Sequence, residues 1–311
     1  MEHPLPASHS AHRCYAYSDY LKRTFGGKCA KLALDAGFTC PNRDGSRGTG
    51  GCTFCSGRGS GDFTAGGSIA AQIARQKTIL SSKWHCERYL AYFQAFTNTY
   101  APLPVLQTYY EEALAQPQIV GLSIATRADA LPNDVIAYLR ELSCRTHLTV
   151  ELGLQTTFDD TARRVGRGHT YAEFLDAYAR LEGLRVCVHL LNGLPGENRD
   201  RMLENVRRVA ALRPHAVKLH ILNILRGTPL AKGYAQGKLS VLSREEAVAL
   251  LCDELELLPP DTVIGRLSAD SGAAALIAPL WCRDKRAFLN EIDRELGRRN
   301  SMQGAKWAGS G

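Results

Sequence analysis

The sequence predicts an α/β fold in which a parallel sheet is covered by helices and followed by a helical C-terminal extension. Six apolar runs have the composition of strands that are buried on both faces. A helical pattern separates each run from the next, and the later runs begin roughly 30 to 37 residues apart, the size of a strand–helix–strand unit. This alternation indicates a parallel sheet, either open and doubly wound or curled as a full or partial barrel.

The individual elements follow from local composition. The strand predictions, each rich in β-branched or aromatic residues or nearly continuous in apolar ones, are Cys29–Ala36, Tyr89–Phe96, Ile119–Thr126, Leu148–Gln155, Arg185–Asn192 and Ala216–Leu225. The helix predictions between them are Ser68–Leu80, Leu103–Gln116, Pro132–Ser143, Tyr171–Glu182 and Asn198–Leu212. Pro132 and Asn133 suit a helix start, and Asn198 suits an N-cap. In such a sheet, functional residues are expected just past the carboxyl ends of the strands.

Three regions are expected along the chain. Residues 1–28 form an N-terminal extension, 29–242 the core, and 243–311 a C-terminal extension packed on that core. Within the last region, Arg244–Leu258 and Lys285–Arg298 are predicted helices, and Val263–Leu267 is a short apolar run between them.

Length, charge and hydropathy exclude several classes of protein. The 311 residues are 45% hydrophobic and 22% charged, which argues against disorder, collagen and coiled coil. No uncharged apolar run approaches the ~20 residues of a membrane span, and the opening Met1–Pro6 lacks the features of a signal peptide, so a cytoplasmic protein is expected. The net charge of +7 permits contact with phosphates without requiring it. The densest basic run, Arg294–Arg299, fits a solvated helix face or an RNA patch.

A glycine-rich loop after the first predicted strand carries the strongest chemical signal. Cys40, Cys52 and Cys55 are spaced there as Cys-x11-Cys-x2-Cys, without a fourth cysteine nearby. Closed zinc sites and ordinary ferredoxin clusters use four ligands, so three thiolates leave one metal position open for chemistry. The spacing alone leaves two further interpretations open: a chance pair, or a structural zinc site completed by His189 or His220. The other seven cysteines show no paired spacing.

Several longer motifs, together with these cysteines, make the chain resemble the radical S-adenosylmethionine (SAM) superfamily. The resemblance is narrowest to its uncharacterised YhcC-like branch, which is related to the radical SAM domain of the elongator catalytic subunit. It covers about residues 14 to 300. The motifs are Asp35–Gly45 (DAGFTCPNRDG), Gly50–Cys55 (GGCTFC), Tyr89–Pro102, Glu151–Thr156 (ELGLQT), Arg167–His169 (RGH), His189–Glu197 (HLLNGLPGE), Val217–Thr228 and Ala278–Cys282.

The resemblance implies a fold, two cofactors and a reaction class. The fold is a partial (β/α)6 barrel of the TIM type, and Cys40, Cys52 and Cys55 hold a 4Fe–4S cluster whose fourth iron is chelated by SAM. Reductive cleavage of SAM would give a 5′-deoxyadenosyl radical that abstracts hydrogen from a substrate. The expected partners are a reductase, flavodoxin or ferredoxin as electron donor and, from kinship, tRNA. A redox-sensing iron–sulfur regulator and a non-enzymatic zinc module remain the alternatives.

Further cofactor contacts are expected at strand ends. Each of them also has a structural explanation: a helix cap before Pro102, a surface salt bridge, a satisfied interior network or a plain turn. In relatives, the segment after the second strand holds the methionine amino group. Elongator-like relatives carry a Thr-Arg pair after the third strand. Backbone near the end of the sixth strand forms a shelf for adenine. The predicted residues are Thr97, Asn98, Thr126, Arg127, Glu151, Gln155, Arg167, Asn192 and Leu225.

Overall fold

The computed structural model describes residues 12–61, 64, 66–82, 86–269, 272 and 274–309. The predicted absence of a leader at Met1–Pro6 concerns residues outside these ranges. The helices are α1 (Tyr17–Phe25), α2 (Ile69–Ser81), α3 (Leu103–Leu114), α4 (Asn133–Arg145), α5 (Asp159–Arg164), α6 (Tyr171–Arg180), α7 (Arg199–Ala211), α8 (Pro229–Ala235), α9 (Arg244–Leu257) and α10 (Lys285–Arg298). The strands are β1 (Cys29–Leu34), β2 (Arg88–Phe93), β3 (Ile119–Arg127), β4 (His147–Gln155), β5 (Arg185–Asn192), β6 (Ala216–Ile221), β7 (Ile224–Leu225), β8 (Val263–Arg266) and β9 (Leu276–Ala278).

Two compact units make up the described chain. The first, here called the cysteine-loop unit, consists of Leu21–Leu154 and Gly166–Val186. The second, the C-terminal unit, consists of 12–20, Gln155–Val165 and 187–309.

Parallel strands form the centre of the cysteine-loop unit. β1 pairs with β2, β2 with β3, and β3 with β4, all in parallel. Their apolar side chains are almost fully buried, as at Leu32, Leu90, Ile124 and Val150, and the helices cover them. This explains why the runs read as nearly continuous apolar stretches rather than as alternating ones.

This part of the sheet is curved. Lys31 on β1 forms an ion pair with Glu151 on β4, although two strands lie between them. In a flat sheet, three strand spacings of about 4.8 Å would separate the two backbones by ~14 Å. Because the two side chains meet, β1 and β4 must turn toward each other across a concave face.

In the C-terminal unit, β5 pairs with β6 and β6 with β8, again in parallel, while β7 and β9 form a short antiparallel pair. The N-terminal segment joins this unit through a bridge between Ala16 and Ile264. Gln303 accepts a hydrogen bond from the Tyr15 backbone at 2.8 Å. The two ends of the described chain therefore contact each other.

The predicted class is confirmed. All six predicted strands are present, the first four paired in parallel in the cysteine-loop unit and the last two paired in parallel in the C-terminal unit. The run Ala216–Leu225 divides into β6 and β7. A further parallel strand, β8, comes from the predicted short apolar run of the C-terminal extension. The proposed region boundaries stay a prediction.

No helix in the described ranges is long and apolar enough to cross a membrane.

Candidate metal centre

The cysteine loop follows β1 and is built from short turns. The Arg43 amide donates to the Cys40 carbonyl at 2.8 Å, and the Cys55 amide donates to the Cys52 carbonyl at 3.0 Å. The Gly51 amide donates to the Asn42 carbonyl at 2.8 Å. These bonds fold the eleven residues between the first two cysteines back on themselves, so that residues distant in the sequence are brought together.

The three predicted metal ligands influence one another electrostatically. Burial, followed by the nearby charges of Cys52 and Cys40, raises the pKa of the Cys55 thiol, although Arg43 acts in the opposite direction. The three cysteines therefore lie in one loop region, close enough for the charges of two of them to act on the third.

Polar groups surround Cys52, which is buried. Its sulfur accepts hydrogen bonds from Asn42 Nδ2 at 3.6 Å and from Arg167 Nη1 at 3.8 Å. Arg167 Nη2 also donates to the carbonyl of Gly153 on β4 at 2.5 Å. Burial, and then the charge of Arg127, lower the pKa of this guanidinium. The predicted contact residue Arg167 thus lies directly beside a predicted metal ligand.

A second arginine, Arg43, contacts the cysteine loop just after Cys55. Arg43 Nη2 donates to the Ser56 carbonyl at 2.6 Å, and its guanidinium lies 5.4 Å from the centre of the Phe96 ring. Gly59 packs against that ring, because a Cβ at this glycine would come within 2.3 Å of it. The Phe96 amide in turn donates to the Gly59 carbonyl at 2.8 Å. The cysteine loop is therefore fastened to the segment that follows β2.

Thr97 and Asn98 follow β2 and are fully buried. Asn98 Nδ2 donates to the carbonyls of Phe93 and Ala125, both at 3.0 Å. Thr97 Oγ1 and Asn98 Oδ1 have no hydrogen-bond partner among the described residues. Neither residue caps α3, whose N-cap is Pro102 without a side-chain bond. Two buried polar atoms are thus left available to a ligand.

Thr126 and Arg127 end β3. Thr126 Oγ1 lies 2.5 Å from Thr99 Oγ1. Arg127 makes a bidentate ion pair with Asp129, with nitrogen–oxygen distances of 2.8 and 2.7 Å. Burial acts to lower the pKa of Arg127, but its bonds to Asp129 and the charge of that carboxylate raise it. Arg127 Nη1 is buried and has no hydrogen-bond partner within the described ranges, so this guanidinium nitrogen can still donate to a ligand.

His169 lies beside this charged group. Burial, followed by the charges of Arg167 and Arg127, lowers the pKa of His169 to about 3. Its Nδ1 is 3.2 Å from the Thr170 carbonyl, and its Nε2 is buried without a partner in the described part of the chain. The imidazole is therefore neutral at physiological pH.

Glu151 points into the concave face and is paired with Lys31, which corresponds to the satisfied interior network considered for it. Three other predicted contacts belong to the C-terminal unit. Gln155, the last residue of β4, has a positive φ of 76°. The Asn192 amide donates to Glu254 on α9 at 2.9 Å. The carbonyl of Leu225 accepts from Thr228 Oγ1 at 2.8 Å.

Sequence reasoning missed Asn42, Asp129 and Glu254. Asn42 follows a Cys-Pro pair in a polar loop, where an asparagine is common for turn formation alone. Asp129 stands two residues after Arg127, a spacing that a surface ion pair would share. Glu254 lies on an almost evenly buried helix, so neither periodicity nor a motif distinguishes it.

The parallel fold and the three-cysteine loop define a class, and the chain belongs to the radical SAM superfamily. The superfamily model matches residues 43–209, and a Radical_SAM C-terminal domain model matches 214–298.

Two curated relatives are similar over nearly their whole length. The chain is 45% identical to the uncharacterized protein YtqA of Bacillus subtilis over 305 residues, which are 97% of this chain and 95% of that protein. It is 39% identical to YhcC of Escherichia coli K12, over 92% of this chain and 94% of that protein. The recognised resemblance is confirmed.

Among solved structures, the archaeal Methanocaldococcus infernus Elp3 matches with a TM-score of 0.66 and 17% identity. The match covers 88% of this chain but only 64% of that structure. At this identity the match shows the α/β fold.

The residues present fit the cofactors that the family implies, a 4Fe–4S cluster and SAM. The donor set is three thiols, the ligand type that iron–sulfur clusters use. The buried atoms Thr97 Oγ1, Asn98 Oδ1 and Arg127 Nη1 lack partners among the described residues. Buried polar atoms are normally satisfied, so these three atoms are candidates for contact with a bound polar molecule.

Proposed function

We propose that Cys40, Cys52 and Cys55 bind a 4Fe–4S cluster and that SAM completes the coordination of its fourth iron. The observation that carries this proposal is the grouping of the three thiols in one loop, where the charges of Cys52 and Cys40 both act on Cys55, in a chain of the radical SAM superfamily. A cluster held by these cysteines would supply one electron for reductive cleavage of SAM, the source of the radical chemistry expected of this superfamily.

The segments after β2 and β3 would hold the methionine end of SAM. Thr97 Oγ1 and Asn98 Oδ1 can accept hydrogen bonds from an ammonium group. Arg127 Nη1 and Arg167 Nε, both buried and without described partners, can donate to a carboxylate. Because Asp129 holds two nitrogens of Arg127, the remaining one has a fixed direction.

Glu151, Gln155, Asn192 and Leu225 complete the proposed contacts on the nucleoside side. Glu151 lies on the concave face of the sheet. The carbonyl of Leu225 is at the end of the sixth predicted strand, where a backbone shelf for adenine is expected. Asn192 would make its contact from the end of β5, where its bond to Glu254 orients the side chain.

A flavodoxin, ferredoxin or reductase remains the proposed class of electron donor, and tRNA remains a prediction from kinship. The arginines of α7 do not strengthen the RNA hypothesis, because they are engaged with carboxylates: Arg199 with Asp253, Arg201 with Asp160, and both Arg207 and Arg208 with Glu204.

Iron quantification on anaerobically purified protein, combined with electron paramagnetic resonance, tests the cluster assignment. The wild type should contain four irons per chain and, after reduction, give a cluster signal that changes when SAM is added. Cys40→Ala, Cys52→Ala and Cys55→Ala should each lose the iron, whereas Cys144→Ala, at an exposed cysteine on α4, should retain it. Equal iron in all four variants, or zinc in place of iron, would overturn the proposal.

A further inference from the structure

We infer that Asn42 and Arg167 are positioning residues that tune the cluster through Cys52, by donating N–H···S hydrogen bonds to its sulfur. This inference rests on the proposed ligation and concerns its electronic control. Neither residue would touch iron. Each acts by withdrawing charge from one thiolate ligand, which is how hydrogen bonds to ligand sulfurs change the potential of such clusters.

The two donors converge on one atom from different segments. Asn42 belongs to the cysteine loop and Arg167 to the segment between α5 and α6, and their nitrogens lie 3.6 and 3.8 Å from Cys52 Sγ. Asn42 is 4% exposed, Arg167 6% and Cys52 6%, so water does not compete for these contacts. In a buried setting each bond has a larger electrostatic effect than it would have in water.

The Asn42 amide is held in one orientation. Its Nδ2 also donates to the Gly166 carbonyl, so both of its hydrogens point at acceptors. Its Oδ1 lies between two glycines: a Cβ would come within 2.5 Å of it at Gly48 and within 2.7 Å at Gly168. Asn42 Oδ1 therefore has space only because Gly48 and Gly168 lack side chains. With the oxygen on that side, Nδ2 faces Cys52.

Arg167 is held equally firmly. Its Nη2 is bonded to the Gly153 carbonyl, and the glycines on both sides of it have positive φ angles of 64° and 81°. These angles bend the segment so that the guanidinium points back toward the cysteine loop. The Arg-Gly-His motif, selected from the sequence for substrate or cofactor contact, thus also serves a metal ligand.

Reduction adds one electron to the cluster, and part of the added charge falls on the ligand sulfurs. Donors at Cys52 stabilise the reduced form more than the oxidised form. Loss of the Asn42 donor should therefore make the midpoint potential more negative. At a fixed applied potential, the ratio of reduced to oxidised cluster should fall roughly fivefold, the effect of one net hydrogen bond.

A redox titration followed by electron paramagnetic resonance tests this inference on the cluster-loaded protein, with dithionite and mediator dyes. Asn42→Leu keeps the side-chain shape and removes the donor. The matched control is Asn133→Leu, at the exposed start of α4. A more negative midpoint in Asn42→Leu alone supports the inference, and an unchanged midpoint with full iron content overturns it.

A second variant covers the case in which Asn42→Leu does not retain iron. Arg167→Lys keeps the positive charge but cannot bond Gly153 and Cys52 together, so its midpoint should also be more negative. An unchanged midpoint in this variant would then overturn the inference. Absence of iron from the wild type and from Asn133→Leu would instead be a failure of the proposed cluster itself.

Discussion

Lys31 on the first strand and Glu151 on the fourth form an ion pair across the concave face of the sheet, where the Glu151 side chain is fully buried and the Lys31 side chain is 19% exposed. The ammonium also lies 4.9 Å from the centre of the Tyr92 ring. The contact shows that the sheet is curved between β1 and β4. It also stabilises the buried carboxylate of Glu151, because burying a charge without compensation is strongly unfavourable.

Removing the ammonium takes away the ion-pair partner of that buried carboxylate. Lys31→Met is expected to lower the free energy of unfolding by about 3 kcal/mol, because breaking a buried ion pair by removing one partner is strongly destabilising. Urea unfolding of the apo-protein measures this change in the free energy of unfolding, and Lys22→Met on the exposed face of α1 is the control. The double variant Lys31→Met/Glu151→Leu should recover part of the loss. A change in Lys31→Met no larger than in Lys22→Met would contradict the role given to this pair.

Gly168 and Gly166 provide a matched comparison in the Arg-Gly-His segment. Both have positive φ, so alanine introduces similar backbone strain of ~1 kcal/mol at each. At Gly166 the nearest atom to a new Cβ is the Gly51 carbonyl oxygen at 3.7 Å, whereas at Gly168 it is Asn42 Oδ1 at 2.7 Å. We expect Gly168→Ala to lower both stability and iron content more than Gly166→Ala. Equal effects in thermal unfolding and iron assays would show that the Asn42 contact is unimportant.

Thr97→Val should separate stability from cofactor binding. The hydroxyl is buried without a described partner, so replacing it with a methyl group should leave the free energy of unfolding unchanged or raise it. If Thr97 Oγ1 contacts SAM, the dissociation constant measured by equilibrium dialysis on the cluster-loaded protein should rise roughly fivefold. An unchanged dissociation constant would remove Thr97 from the SAM site.

The buried carboxyl of Glu254 should make the free energy of unfolding depend on pH. Burial raises its pKa to about 8, against the lowering effect of its bond to Asn192. Because the folded state holds this proton more tightly than the unfolded state, the stability of the wild type should fall as the pH rises from about 5 to above 8.

Glu254→Gln removes this titration and keeps an oxygen that can accept from Asn192. At about pH 8.5 it should exceed the wild type in stability by up to a few kcal/mol, at roughly 1.4 kcal/mol per pKa unit, and near pH 5 the difference should shrink. Urea unfolding at both pH values measures this, with Glu245→Gln at the exposed start of α9 as control. A difference that does not vary with pH would contradict the burial argument.

The fold was largely predictable because its signals are local. The buried parallel strands appear as apolar runs, and β5 has the predicted bounds of Arg185–Asn192. The predicted cap Asn198 accepts a hydrogen bond from the Arg201 amide at 3.0 Å. By contrast, β8 has only four residues, Val263–Arg266, and becomes a strand through pairing with β6. That pairing is a long-range effect that local composition does not encode.

The site was predictable only where a motif marks it. The spacing of Cys40, Cys52 and Cys55 identifies the ligands, but no pattern shows that Asn42 and Arg167 meet at Cys52, since the two donors are 125 residues apart. Likewise, the sequence does not reveal that Arg127 is paired with Asp129 within the protein and keeps one nitrogen free of described partners. Such relationships arise from tertiary packing.

If Cys40, Cys52 and Cys55 hold a cluster that cleaves SAM, the reduced protein should release 5′-deoxyadenosine. The first measurement is therefore an assay for 5′-deoxyadenosine after anaerobic purification and reduction in the presence of SAM. The wild type should form 5′-deoxyadenosine, and Cys52→Ala should not. Zinc in place of iron, with no 5′-deoxyadenosine from the wild type, would contradict the account and leave the cysteine loop as a structural metal site.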